Sequence, residues 1–400
     1  MEKRQQIWLK VAAIDMLLLC YSFNMAVIGQ MFDAIKKSYG LNIAQTSLLP
    51  AVQSVGGFAA VIICIAFMDS FNKQKVLVTA GVLYFILFIL IGAITPLYIL
   101  FSIFVFMGIF GGTLDTMTNA VMVDTAPRNT NRHVSLMHTL FAFGAVVSPL
   151  IAQQIHKTTG ISGTFFVMGG FALVWALYSV IVFRNSVKQK YIKSKISFSS
   201  RMKEMISVYK KPGMIEVGVI AILFSCWQLT AMLYTSSMIS GLSGSQADGA
   251  LALSVLFIGM MISRLIYTRF STRFSEGLVL AVGNFLGMVA WVIAILVPGL
   301  VLKIVLIGVT SFFCGNNFPV GIMAACKIAP QNTAAASGTV ILGSYIALFF
   351  FTPSIGALAD SMGLNNAMIF SAVPLLLLVP VALLLYKKMK TAKNQEFSKE

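Results

Sequence analysis

Along most of its length this chain alternates between long apolar runs and short polar connections. The runs fall at about 10–31, 47–68, 76–95, 97–123, 134–155, 163–183, 214–239, 249–268, 277–297, 300–325, 336–358 and 365–386. Each is long enough to cross a bilayer core as a helix, which takes about 20 mainly apolar residues. Apolar positions are continuous within the runs. The alternation expected of a large transmembrane β-barrel is therefore missing. The pattern predicts an all-α membrane protein with twelve transmembrane helices, which puts both termini on one side.

Composition narrows the class further. Hydrophobic residues make up 58% of the 400 and charged residues only 10%, against about 25% charged in an ordinary soluble domain. A chain so poor in charge cannot cover a water-facing surface, which argues against a cytosolic enzyme, a secreted disulfide scaffold or a disordered chain. The formal charge of +16 could suggest a nucleic-acid partner, but its placement points to topology. With the N-terminus inside, 25 Lys and Arg fall on inner segments and four on outer ones, Lys36, Lys37, Lys157 and Lys303. Basic loops are retained on the cytoplasmic side, so both termini are expected to be cytoplasmic and no nucleic-acid partner is expected. The five cysteines lie in or beside apolar runs without metal-ligand spacing. The first apolar run is too long for a signal peptide and lacks a small-residue cleavage site, so it reads as an uncleaved first helix.

The longest inner connection divides the runs into two sets of six. The expected organisation is an N-terminal half at 1–183, a basic linker at 184–213, a C-terminal half at 214–388 and a tail at 389–400. The halves echo each other at an offset near 203 residues. Ala126-Pro-Arg-Asn-Thr130 recurs as Ala329-Pro-Gln-Asn-Thr333, Gly112 as Gly315, Gly160 as Gly363 and Pro149 as Pro353. Six spans per half is an even number, so the repeats would run parallel, which is the plan of the major facilitator fold.

Charge within the bilayer is costly and is seldom kept without a use. Asp115 lies well inside the fourth span with Asn119 one helical turn on. It reads as a group that loads and releases a proton or binds substrate, with a structural hydrogen bond as the alternative. Asp15 and Glu216, near the inner ends of spans one and seven, read as structural or gating acids. Uncharged polar and aromatic groups at comparable depth are Asn24, Gln53, His138, Trp227, Gln228, Tyr234, Asn316 and Asn317. Amides suit hydroxylated substrates and an indole offers a flat apolar face, although each could equally bridge helices. Spans one, four, seven and ten, which line the central cavity of a two-half rocker, each carry such a group. In the inner loops Asp69, Lys73, Arg264 and Arg273 read either as gating charges or as positive-inside anchors.

Several of these segments resemble the fucose permease-like sugar transporters of the major facilitator superfamily. Gly112-Thr-Leu-Asp115-Thr-Met-Thr-Asn119 is similar to that branch's Gly-x-x-acid-x-x-x-Asn segment. Gln53-Ser54 followed by Gly57, the stretch Ser135 to Ala145 around His138, and Asn317-Phe-Pro319 are similar to its second, fifth and tenth spans. The resemblance implies a role for Asp115 in proton and sugar handling. Two acids of that family are replaced, by Gly29 or a near neighbour and by Ala221.

The expected function is secondary active transport by alternating access, as proton-coupled symport of a sugar-like hydroxylated solute at the cell membrane. Export of drugs by proton antiport is the alternative, since 22 methionines and 31 phenylalanines could line an adaptable pocket. The expected partners are a small-molecule substrate, a proton or Na⁺, and the lipid bilayer, with the protein acting as a monomer and without cofactor or metal. Three histidines with no His-Glu-x-x-His spacing weigh against a membrane-embedded enzyme. Loops and tail of about thirty residues or fewer weigh against a receptor.

Overall fold

The computed structural model describes residues 2–67, 72–126, 130–187, 198–270 and 274–397. Among these the regular structure is helical, with no strand. The order is α1 (Glu2–Gln30), α2 (Phe32–Tyr39), α3 (Ile43–Phe67), α4 (Lys73–Ile91), α5 (Leu97–Thr125), α6 (Thr130–Val187), α7 (Phe198–Ser207), α8 (Met214–Ser243), α9 (Gln246–Phe270), α10 (Glu276–Leu296), α11 (Leu300–Cys314), α12 (Asn317–Ile328), α13 (Thr333–Met362), α14 (Leu364–Ala367) and α15 (Ala372–Phe397).

Among the described residues, eleven segments are long and apolar enough to cross a membrane. One of them, Leu136–Arg184, holds 49 residues, which as one helix would reach about 74 Å at 1.5 Å per residue, far beyond a core of about 30 Å. Gly160 resolves the mismatch. Its φ of 70° lies outside helical geometry and divides α6 into two crossings. Gly363, 203 residues later, ends α13 at φ 82°. Both are positions where a side chain would be strained.

Two compact units divide the chain. The first is Met1–Lys195 together with Leu233–Ser254, and the second is Ile196–Met232 together with Val255–Glu400. In the first, Tyr84, Phe85, Phe88, Phe104 and Phe165 are fully buried, with the Phe88 and Phe165 rings edge to face at 5.0 Å. Close helix approach depends on missing side chains. A Cβ on Gly56 of α3 would collide with the carbonyl of Val105 and lie 2.9 Å from the Ile109 nitrogen of α5. In the second unit Gly259 of α9 stands in the same relation to Gly308 and Phe312 of α11, each residue 203 further along.

Lys303, counted from sequence among the outer charges, is buried in the second unit. Its ammonium donates to the carbonyls of Ala294 and Ile295, each at 2.7 Å, and to Asn365 Oδ1 at 3.1 Å. A cation at the C-terminus of α10 satisfies carbonyls left open there and complements the helix dipole.

Candidate functional site

Asp115 sits half-buried on α5, and no cation pairs with it among the described residues. Its backbone carbonyl accepts from Thr118 Oγ1 and from Asn119 Nδ2, both at 2.9 Å. Asn119 thus binds the Asp115 backbone and leaves the carboxylate open. With its Nδ2 committed, Asn119 turns Oδ1 toward His138 Nε2 at 3.1 Å, linking α5 to α6. Because that oxygen only accepts, Nε2 is the protonated ring nitrogen. Gln53 lies half-buried on α3, where its carbonyl meets the close approach of Gly108. Asn24 is part of α1, and its side chain lies outside the described residues. Asp15 is buried in α1 with Oδ1 lacking a hydrogen-bond partner among the described residues.

In the second unit Trp227 is fully buried and packs edge to face on Trp291, ring centroids 5.7 Å apart. Trp291 donates to Met368 O at 3.1 Å and Ser371 Oγ at 2.8 Å. The next residue, Gln228, keeps its Oε1 buried and without a hydrogen-bond partner among the described residues. Asn317 and Asn284 exchange two amide hydrogen bonds of 2.8 and 2.7 Å between α12 and α10. The tenth apolar run is broken at Gly315-Asn316, between α11 and α12. Arg264 Nε donates to the freed Gly315 carbonyl at 3.2 Å, and Asn316 Nδ2 donates to Ser263 O and Oγ at 3.0 and 2.7 Å.

Charged pairs mark the helix ends near the basic connections. Lys73 pairs with Asp124 at 3.0 Å, Glu216 pairs with Lys388, and buried Glu276 pairs with Lys327. Asp69 and Arg273 lie outside the described residues. All five cysteines are free, and no group of three or more His, Cys, Asp or Glu suited to a metal ion occurs among the described residues.

The sequence profile of the Major Facilitator Superfamily matches residues 14–244 and 217–400. This chain belongs to that superfamily. The fold agrees with solved structures of a bacterial homologue of the human lysosomal transporter Spinster. Its inward-facing, unoccupied form is 14% identical, with a TM-score of 0.77, covering 96% of this chain and 98% of that one. The inward-facing, occupied form, also 14% identical, gives 0.75 and covers 94% and 96%. No curated protein matches the sequence. A multi-pass superfamily transporter is a different class of molecule from an enzyme.

One polar cluster of this transporter escaped the sequence reading. In the first unit Gln30, the last residue of α1, donates to Gln153 Oε1 at 3.1 Å and to Gln246 O at 3.5 Å, and accepts from Ser236 Oγ at 2.6 Å. Beside it Tyr234 shares a hydrogen bond with Ser47 and meets the Phe32 ring edge on at 5.3 Å. Tyr234 therefore joins α8 to α3 and is fully buried. A glutamine ending an apolar run looks like a boundary residue in sequence. Only the fold reveals that three other segments converge on it.

Proposed function

We propose that this chain is a secondary active transporter that works by alternating access and couples proton entry to symport of a small, hydroxylated, sugar-like solute across the plasma membrane. The observation that carries the reading is Asp115: a half-buried carboxylate on a membrane-crossing helix, free of any paired cation among the described residues, one turn from the Asn119–His138 link. A carboxyl in such a place can exchange a proton with solvent and alter local charge as it does so. The fucose permease-like segments around Gln53, Asp115, His138 and Asn317 support the sugar-like substrate. The replaced acids at Gly29 and Ala221 leave Asp115 as the coupling group.

Two parallel six-span repeats with cytoplasmic termini complete the proposal. The glycine contacts at Gly56 and Gly259 and the chain breaks at Gly160 and Gly363, all 203 residues apart, support the repeat. The 25-to-4 distribution of Lys and Arg supports the orientation. Alternating access draws on the inward-facing conformation described for the Spinster homologue.

Uptake into vesicles under an imposed pH gradient is the test. Wild type should accumulate a sugar or polyol from a panel, and Asp115→Asn should abolish gradient-driven accumulation while keeping downhill exchange. Unchanged accumulation in Asp115→Asn removes Asp115 as the carrier, accumulation driven only by a Na⁺ gradient replaces the coupling ion, and greater drug sensitivity of deleted cells points to antiport export instead.

A further inference from the structure

We propose that Arg264 and Asn316, in the second unit, form a recognition site for a solute that carries an acidic oxygen beside a hydroxyl, with a hydroxy-carboxylate as its occupant. This deepens the transport reading above by naming an acidic group on the hydroxylated solute.

The site lies at the break in the tenth apolar run. Where α11 stops at Cys314 and α12 begins at Asn317, the Gly315 carbonyl loses its helical partner, and Arg264 Nε supplies the replacement at 3.2 Å. Gly315 lets the elements approach this closely, because a Cβ there would lie 2.8 Å from Met260 Cα and 3.0 Å from Ser263 Cβ. The guanidinium is thereby anchored through one of its five N–H donors. No carboxylate pairs with it among the described residues, and Arg264 is half-buried with no hydrogen bond to its terminal Nη donors among the described residues. Arg264 stands in the last turn of a membrane-crossing segment without a counter-charge among the described residues, and a planar fork of donors suits a carboxylate held by two hydrogen bonds.

Asn316 provides the second, independent observation. Its Nδ2 is committed to Ser263 O and Oγ, which fixes the orientation of the amide. Oδ1 is consequently held as a buried acceptor, and it has no hydrogen-bond partner among the described residues. A buried acceptor without a donor is costly, and what it lacks is an O–H or N–H. Arg264 and Asn316 are held at adjacent points, since Arg264 binds the carbonyl of the residue directly before Asn316. Together they offer a cation for an anionic oxygen and an acceptor for a neighbouring hydroxyl. Glucose would satisfy only Asn316, and acetate only Arg264.

Phosphatidylglycerol headgroups share this chemistry, so the experiment separates the two sources. The purified full chain is heated in neutral detergent with gluconate, glucose or acetate, and separately in nanodiscs of phosphatidylcholine with or without phosphatidylglycerol. Gluconate is expected to raise the unfolding temperature by several degrees more than glucose or acetate at equal concentration, as ligand linkage requires. Arg264→Gln should weaken gluconate binding about tenfold or more, with Arg264→Lys between it and wild type because a fork is replaced by a point charge. Asn316→Asp should also weaken it by placing a like charge beside the carboxylate. Equal shifts for gluconate and glucose, unchanged binding in Arg264→Gln, or a response confined to phosphatidylglycerol would each overturn the proposal. Gly170→Ala, whose added Cβ would meet nothing within 4 Å, should bind gluconate as wild type does. Gluconate that binds in this way without being carried under any gradient would refute the transport reading and leave the site standing.

Discussion

Lys73 donates to Asp124 Oδ2 across 3.0 Å, tying the first residue of α4 to the last turn of α5. Counted 203 residues onward from each, Glu276 opens α10 and pairs with Lys327 at the end of α12, with the signs exchanged. The same two places are clasped in both units although every charge is inverted. The position therefore demands a pair and is indifferent to its polarity.

Breaking the two clasps should have unequal costs. Asp124 is half exposed, at 49% of its side chain, so Asp124→Ala forfeits a solvated ion pair worth about 1 kcal/mol at most. Glu276 is 5% exposed, and Lys327→Ala strands its carboxylate, at about 3 kcal/mol. Unfolding of the purified variants by heat or denaturant measures the difference. Lys73→Glu combined with Asp124→Lys should restore what either change alone removes.

Close backbone packing yields a second expectation. Gly56→Ala drives a methyl into the Val105 carbonyl, and Gly259→Ala does the same at Gly308. Backbone cannot yield as a flexible side chain can, so each should cost about 1–3 kcal/mol and lower the amount of folded protein in the membrane. Gly170, whose added Cβ would meet nothing within 4 Å, serves as the control: Gly170→Ala should be nearly silent.

How far the sequence could be read depends on the type of signal. Helix positions were legible because about 20 continuous apolar residues admit few other structures, and each expected run coincides with one or two helices, although α1 starts eight residues early, α15 ends eleven residues late, and the short α2 and α7 lie between runs. The break at Gly160 was legible as a gap between two runs. The break at Gly315 was hidden, since the run as a whole stays apolar enough to read as one span despite Asn316, Asn317 and Pro319 beside it. Polar side chains were the least legible. Asn317 and Trp227 stand at plausible depths for a ligand, yet Asn284 and Trp291 occupy them. Hydropathy locates a residue along the membrane normal but leaves open which way it faces and what meets it.

The Asn284–Asn317 exchange can be tested as structure. Asn317→Leu leaves the buried Asn284 amide short of both a donor and an acceptor, at about 1–3 kcal/mol. Adding Asn284→Leu should recover part of that loss by removing the orphaned group. If Asn317 touched substrate, the single variant would raise KM in uptake assays at unchanged thermal stability. The expected result is the reverse: lower stability, and KM unchanged in the molecules that fold.

His138 admits a sharper test, because its hydrogen-bond role is defined. Asn119 Nδ2 donates to the Asp115 carbonyl, so Asn119 Oδ1 needs only a donor from His138, and the ring supplies one through Nε2. A glutamine amide can donate from nearly the same place without titrating. His138→Gln should therefore keep uptake within a few fold of wild type at every pH assayed, whereas His138→Leu should lose most of it and loosen the α5–α6 link. A pH profile for His138→Gln that flattens, with the acid or alkaline limb abolished, would show the imidazole itself carrying a proton. The profile is expected to keep its wild-type shape, and only Asp115→Asn should remove its dependence on pH.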